Sequence, residues 1–284
     1  MRFVYIADSH VGAGNAGYCQ QPRYADRLPE LAALLDAWIR QAGDIDFVLH
    51  GGDMVDATSV DNVRAAREIF RLSVPVYLCL GNHDLTEEKA LDLWLAEVPA
   101  FFSDADPVFM LEWPECVVHV VPTQWCDTPY LWREEQRPHF LPGHLERVGA
   151  AIAAKPDAVH VLCTHAEVMG VPPEQTGFES VYHPPMVDYT QILVDFTQQY
   201  PQVRCVLAAH NHINSNAVQD GVHWVTVSAF AETPFEFKVV EVTQEAMKMT
   251  THNLVSDVAF NVQYDYDKTF VQGRQKDRAF DVRL

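Results

Sequence analysis

The chain has 284 residues, of which 48% are apolar and 21% charged, and its formal net charge is −19. This apolar content is ample for one large α/β domain, whereas so acidic a surface disfavours nucleic-acid polymers and anionic membranes as partners. No apolar stretch approaches the roughly 18–20 residues that a membrane span needs. The first strand begins at the N-terminus and leaves no room for a signal peptide, and no CxxC spacing joins the six cysteines. We therefore expect a cytoplasmic protein with free thiols.

Short apolar runs rich in β-branched residues predict strands that are buried on both faces. In chain order they cover residues 3–7, 47–49, 76–80, 159–163 and 203–209. Apolar residues at helical spacing predict helices over 26–43, 59–72, 86–98 and 143–154, with another inside 185–200. Strand–helix alternation through the first hundred residues indicates a βαβ half.

The strands outside this alternation indicate a second kind of unit. Residues 108–111 and 117–121 predict two adjacent strands, and Asp220-Gly221 predicts a hairpin turn between 217–219 and 222–228. Residues 235–242 and 247–251 predict further antiparallel strands. The expected fold is a four-layer α/β/β/α sandwich of two mixed sheets flanked by helices. Residues 1–254 form one domain in this interpretation, and residues 255–284 form a C-terminal tail that packs over the site or against a second subunit.

Each of the five buried runs ends at a polar cluster. Alternate residues of a strand face opposite sides, so two ligands separated by one residue must leave regular strand geometry to face one ion. Gly51 and Gly52 let the backbone bend and bring Asp53 close to the ions. Carboxylate, amide and imidazole ligands suit Mn, Fe or Zn. The clusters contain seven potential metal ligands: Asp8, His10, Asp53, Asn82, His165, His210 and His212.

The order of these clusters resembles the calcineurin-like metallophosphoesterase superfamily. Its motifs are Asp-x-His, Gly-Asp-x-x-Asp, Gly-Asn-His-Asp/Glu, a later single His, and Gly-His-x-His. Two departures concern Ala209, where the superfamily usually has Gly, and Asp56, where purple acid phosphatases have a Tyr that binds metal. The chain looks most like the bacterial class III cyclic-nucleotide phosphodiesterases. Its motifs are Asp8-Ser9-His10, Gly52-Asp53-Met54-Val55-Asp56, Gly81-Asn82-His83-Asp84, His165 and Ala209-His210-Asn211-His212.

The resemblance implies two divalent or mixed-valence ions of Mn, Fe or Zn that share Asp53. One ion would take Asp8, His10, Asp53 and His212, and the other Asp53, Asn82, His165 and His210. His83 would be a general acid or a donor to the phosphate, unless it serves only to fix Asn82. Asp84 would orient a histidine or cap the next helix, and Asp56 could do either.

The implied activity is hydrolysis of a small phosphodiester by a hydroxide that bridges the two ions. Two alternatives remain, namely a phosphomonoesterase or nucleotide pyrophosphatase with the same site, and a scaffold without catalysis. The expected partner is a small phosphate ester, with a second copy of the chain as another possibility. Loops 122–142 and 166–185 carry aromatic side chains, and the first also carries Arg133 and Arg137, so both loops are candidates for substrate recognition.

Overall fold

The computed structural model describes residues 1–14 and 17–284. In these ranges, none of the helices combines the length and the apolar character required to cross a lipid bilayer. The strands are β1 (Arg2–Ile6), β2 (Phe47–His50), β3 (Val76–Leu78), β4 (Phe109–Glu112), β5 (Cys116–Val120), β6 (Val159–Cys163), β7 (Val203–Ala208), β8 (Ser215–Gln219), β9 (Val222–Thr226), β10 (Glu236–Val242), β11 (Ala246–Asn253) and β12 (Ala279–Arg283). The helices are α1 (Leu28–Ala42), α2 (Val60–Ile69), α3 (Ala90–Glu97), α4 (His144–Ala154), α5 (Pro173–Thr176), α6 (Val187–Gln199) and α7 (Gln275–Arg278). Short 3-10 helices cover Ala25–Arg27, His83–Leu85, Pro99–Phe101, Ser103–Ala105 and Tyr266–Gln272.

The strands form two mixed sheets of six strands each, as the sequence predicted. The first has the order β12-β11-β10-β1-β2-β3, in which β1, β2 and β3 are parallel. The second has the order β4-β5-β6-β7-β9-β8, in which β5, β6, β7 and β9 are parallel and the two edge strands are antiparallel. Parallel neighbours in each sheet bring their carboxyl ends to one edge, where a site can form.

Helices cover the outer faces of both sheets. Adjacent residues of β6 face different layers, because side chains alternate along a strand. Val161 belongs to the core that also holds Leu31 of α1, whereas Leu162 packs with Ile152 of α4 and Leu193 of α6. The four-layer α/β/β/α sandwich is thus confirmed.

Local sequence signals explain several element ends. Ser59 caps α2, because its hydroxyl accepts a hydrogen bond from the N–H of Asn62 at 3.1 Å. Gly43 ends α1 in the left-handed conformation with φ of 76°. Asp220 and Gly221 both have positive φ, as a type I′ hairpin turn between β8 and β9 requires.

Residues 255–284 extend the first sheet and lie against the second. Strand β12 pairs antiparallel with β11 as the edge of the first sheet. The carbonyl of Val271 accepts a hydrogen bond from the N–H of Asn214 at 2.8 Å, and the buried carboxylate of Asp277 accepts one from the N–H of Asn216 at 3.0 Å. The tail therefore holds the chain directly after His212.

Candidate metal centre

The ends of five parallel strands from the two sheets converge at one edge of the sandwich. Three groups of potential ligands lie there, and within each group the ligand atoms are no more than 4.8 Å apart. The amide oxygen of Asn82 lies 3.1 Å from Nδ1 of His210 and so joins the third group. All seven predicted ligands are brought together, with His83 beside them. The groups are Asp8 with His10 and His212, His10 with Asp53 and His83, and Asp53 with His165 and His210.

The backbone leaves regular strand geometry at most of these residues. Five of the seven ligands adopt the left-handed region, which residues other than glycine rarely occupy. A turn at each strand end lets two ligands separated by one residue face the same point. Such strain persists only where the surrounding structure imposes it, and it is concentrated at functional sites. The φ values are 53° for Asp8, 48° for His10, 52° for Asp53, 68° for His210 and 59° for His212.

Two glycines make room for Asp53 between the neighbouring loops. Gly52 has φ of 111°, and a Cβ added there would overlap the ring of His165 and approach Cα of Gly81 to 2.9 Å. A Cβ on Gly81 would overlap the carboxylate and the backbone nitrogen of Asp53. Only glycine at both positions lets three loops approach one another so closely.

In His165 and His212, a hydrogen bond holds the ring nitrogen Nδ1, which leaves Nε2 to bind a metal. Nδ1 of His165 donates to the carbonyl of Gly51 at 2.9 Å. Nδ1 of His212 donates to Oε1 of the buried Glu232 at 2.7 Å. Such contacts fix the ring and the tautomer of a metal-binding histidine.

The other two histidines also have a polar side chain beside one ring nitrogen. Nε2 of His210 donates to Oε1 of Gln136 at 3.1 Å, so that Nδ1 faces Asn82. Nδ1 of His10 lies 3.3 Å from Oδ1 of Asp56, so Asp56 faces a histidine rather than only capping a helix. Glu232, Gln136 and the carbonyl of Gly51 were not predicted from the sequence, because none of them belongs to a recognisable motif.

Asp84 holds loops together, and its hydrogen bonds do not go to a histidine as expected. Its carboxylate accepts from the N–H of Val55 at 3.0 Å and from that of Gly81 at 2.9 Å. The indole of Trp94 donates to its carbonyl at 2.9 Å. Asp84 thereby joins the segment after Asp53 to the turn before Asn82.

His83 faces the open side of the centre. Its N–H donates to Oδ1 of Asp53 at 2.8 Å, and Nδ1 donates to the carbonyl of Asp56 at 2.6 Å. Nε2 is left for a group in the cleft. Trp132 packs against the imidazole, with 4.9 Å between the ring centroids.

Burial and the neighbouring charges together determine the electrostatics of the centre. It raises the pKa of Asp8 to about 6 and lowers the pKa of His10 to about 4, so this imidazole is neutral, as coordination requires. Burial opposes the charged form of Asp53, but His165 and His83 hold its pKa well below the usual range. Burial likewise lowers the pKa of His165, but Asp53 outweighs it and raises the value to about 10.

Several buried atoms lack the partners that a cation would supply. Both carboxylate oxygens of Asp8 are buried, and no described residue hydrogen-bonds them. Within the described ranges, Nε2 of the buried His165 has only Oδ2 of Asp53 beside it, at 3.2 Å. Nε2 of His10 and Nε2 of His212 face each other at 3.2 Å. A buried charge without a partner is costly, and cations are the usual remedy. The residues present therefore fit two transition-metal ions that share Asp53.

The centre opens into a cleft of about 540 Å³, and both candidate loops border it. Trp125 packs on His210 with 4.8 Å between ring centroids, so this aromatic supports a ligand. Among the described residues that line the cleft, the one arginine is Arg23, whose guanidinium lies 3.6 Å from Asp56. The loop arginines Arg133 and Arg137 are not among these lining residues, and Arg133 lies 3.8 Å from Glu88.

A family model for the calcineurin-like phosphoesterases matches residues 1–214. The chain belongs to this family. Family membership and the ligand cluster together support a metal-dependent phosphoester hydrolase. No curated protein matches the sequence.

Solved structures show how widely this fold is used. A dimetal phosphatase of Danio rerio is 15% identical, with a TM-score of 0.66 over 89% of this chain and 96% of the other. The GAP50 anchor of the inner membrane complex of Plasmodium is 8% identical, with a TM-score of 0.62 over 93% and 87%. The sulfate thiohydrolase SoxB of Thermus thermophilus is 13% identical, with a TM-score of 0.53 over 94% and 58%. Because one fold carries such different roles, the substrate of this calcineurin-like phosphoesterase must be argued from its own site.

Proposed function

We propose that this protein hydrolyses a small phosphodiester with two transition-metal ions. The observation that carries the proposal is the pair of ligand groups that share Asp53, together with the unpartnered oxygens of Asp8. An interaction scaffold has no need of seven converging ligands, five of them in left-handed backbone. A catalytic centre accounts for both features.

The charges of the cleft favour a diester over a monoester. Asp56 and Glu167 line it, and the one Lys or Arg among its described lining residues is Arg23, which lies against Asp56. A phosphomonoester brings two negative charges at neutral pH, whereas a diester brings one. Beyond the charge of the ions, the protein adds little that would compensate the second charge. Apolar walls at Trp125 and Trp132 suit the uncharged organic groups of a diester.

The residues of the site would have separate roles in the reaction. When bound, the two ions would supply Lewis-acid activation of the phosphoryl group and of the attacking water. Asp53 would hold the ions together, and the anchored histidines would fix their positions. Nε2 of His83 would donate a proton to the leaving oxygen or a hydrogen bond to the phosphoryl group. Trp132 packs against His83, with 4.9 Å between the ring centroids, and would hold this imidazole in place.

The test measures diesterase and monoesterase rates on protein reconstituted with Mn, Zn, Fe or Co. We expect kcat/KM on bis(p-nitrophenyl) phosphate to exceed that on p-nitrophenyl phosphate by about tenfold or more, since each tenfold step needs only about 1.4 kcal/mol of discrimination. Faster turnover of the monoester would contradict the diester preference. No turnover of either ester with any metal would contradict the enzyme itself.

A leaving-group series separates the two roles of His83. In His83→Asn, a general-acid role predicts a loss of about 10²–10⁴-fold with an alkyl leaving group and a smaller loss with p-nitrophenolate, which leaves without a proton. A role in binding the phosphoryl group predicts equal losses on both esters. Metal content, measured on the same samples, shows whether the ions have stayed in place.

A further inference from the structure

Glu167 is a buried acidic residue in the cleft that the metal centre does not use. It follows ligand His165 by two residues, is only 8% exposed, and lines the cleft. It belongs to none of the three ligand groups. The metal centre opens into the same cleft, since His10, Asp53 and His212 also line it.

The carboxylate of Glu167 has capacity for more donors. In the part of the chain that the structure describes, no side chain donates a hydrogen bond to it. Buried polar side chains nearly always have at least one hydrogen-bond partner. Because Glu167 lines the cleft, a donor on a bound molecule could supply that contact.

The surroundings of Glu167 restrict what such a donor can be. Asp56 is a second acidic residue outside the metal ligands that lines the cleft. The guanidinium of Arg23 lies against Asp56. Together with the net charge of −19, this environment repels a second anionic group and attracts a cationic or neutral donor.

We propose that Glu167 binds an ammonium or hydroxyl group on the alcohol part of the phosphodiester substrate. The inference rests on the proposed function, since the phosphate must sit at the ions for the alcohol to reach Glu167. Glu167 then discriminates between diesters that the two ions alone would hydrolyse with similar kcat/KM. The substrate is accordingly a diester of an amino alcohol or a polyol rather than of a simple alkyl alcohol.

Three p-nitrophenyl phosphodiesters test this selection, with 3-aminopropyl, 3-hydroxypropyl or butyl as the second group. The three are close in size and share one leaving group, so their kcat/KM ratios report only the terminal group. Release of p-nitrophenolate is corrected for the rate without enzyme. We expect Mn-reconstituted wild-type protein to favour at least one donor ester over the butyl ester by about 10–100-fold. Preference for the amino ester alone identifies a cation, and preference for both identifies any donor.

Two variants assign the preference to Glu167. Glu167→Gln keeps an acceptor but loses the charge, so the amino-to-butyl ratio is expected to fall toward one while a hydroxyl preference largely survives. Glu167→Leu removes the acceptor, and both ratios are expected to fall toward one. Glu179→Gln is the matched control, because Glu179 is an exposed acid on the same loop outside the cleft. Metal content is measured for all four proteins.

The outcomes separate this inference from the proposed function. Equal wild-type rates on all three esters would overturn the role of Glu167 and leave the diesterase intact. A preference that persists in Glu167→Leu would overturn it as well. If p-nitrophenolate is released from none of the three esters, the proposed function is overturned, and this inference with it.

Discussion

Replacement of Glu232 by Gln is expected to weaken the binding of one metal ion and to leave the binding of the other almost unchanged. Oε1 of Glu232 accepts from His212 at 2.7 Å, and Oε2 accepts from the N–H groups of Gln20 at 2.9 Å and Gln21 at 2.8 Å. Both oxygens are therefore acceptors. Gln has one oxygen and one NH₂ group, so in either orientation a donor faces a donor. The substitution keeps the shape of the side chain and changes only its hydrogen bonding.

The expected loss of metal affinity follows from the position of this mismatch beside His212. Loss of a carboxylate that orients a ligating histidine typically costs 10–100-fold in metal affinity, which is about 1.4–2.8 kcal/mol. His212 belongs to the ligand group with Asp8 and His10 and not to the group with Asp53, His165 and His210. The affinity for the ion held by Asp8, His10 and His212 should accordingly fall by this factor, whereas the affinity for the second ion should change little.

Titration calorimetry with Mn²⁺ resolves the two ions in wild type, Glu232→Gln and the exposed control Glu245→Gln. One binding step should weaken 10–100-fold in Glu232→Gln, and both should be unchanged in the control. Equal weakening of both steps, or of neither, would refute the assignment of Glu232 to one ion.

Other substitutions probe the packing around the centre and the tail. Gly81→Ala places a methyl group on the carboxylate of Asp53, so both ions should be lost and activity should fall more than 100-fold, about 2.7 kcal/mol, by metal analysis and turnover. Asp277→Ala removes a buried carboxylate that pairs with Arg274 at 2.7 Å and accepts from the N–H of Asn216, and urea unfolding should show a loss of about 3 kcal/mol. Burial lowers the pKa of Lys238 to about 7, below about 10.4 in an unfolded chain, so protonation favours unfolding. Measured against Lys238→Met, the free energy of unfolding of wild type should fall as pH drops from about 10 to 7 and then stay constant; no change over this window would contradict the shift.

The ligands could be read from the sequence because each lies within a few residues of the end of a strand. A buried strand has a strong apolar pattern, and its carboxyl end is where an α/β sheet gathers functional groups. Asp8 and His10 therefore stand out as polar residues directly after β1. The need for a turn at these ligands followed from strand geometry alone, and both residues do have positive φ.

The residues that anchor the histidines could not be found in this manner. Gln136 lies 74 residues from His210 in sequence, and the contact exists only because a long loop returns over the centre. Glu232 follows β9, whose sequence marks only a hairpin strand. Strand β12 escaped prediction because its residues alternate between exposed and partly buried, so its apolar pattern is weak. For Asp84 the sequence left a histidine contact and a helix cap as alternatives, and the structure places the backbone N–H groups of Val55 and Gly81 there instead.

Anomalous diffraction from crystals of Mn-loaded protein tests the central claim most directly. The account predicts two peaks about 3.5–4 Å apart, one bound by Asp8, His10 and His212 and the other by Asn82, His165 and His210, with the Asp53 carboxylate bound to both. A single peak, or two ions that do not share Asp53, would contradict it.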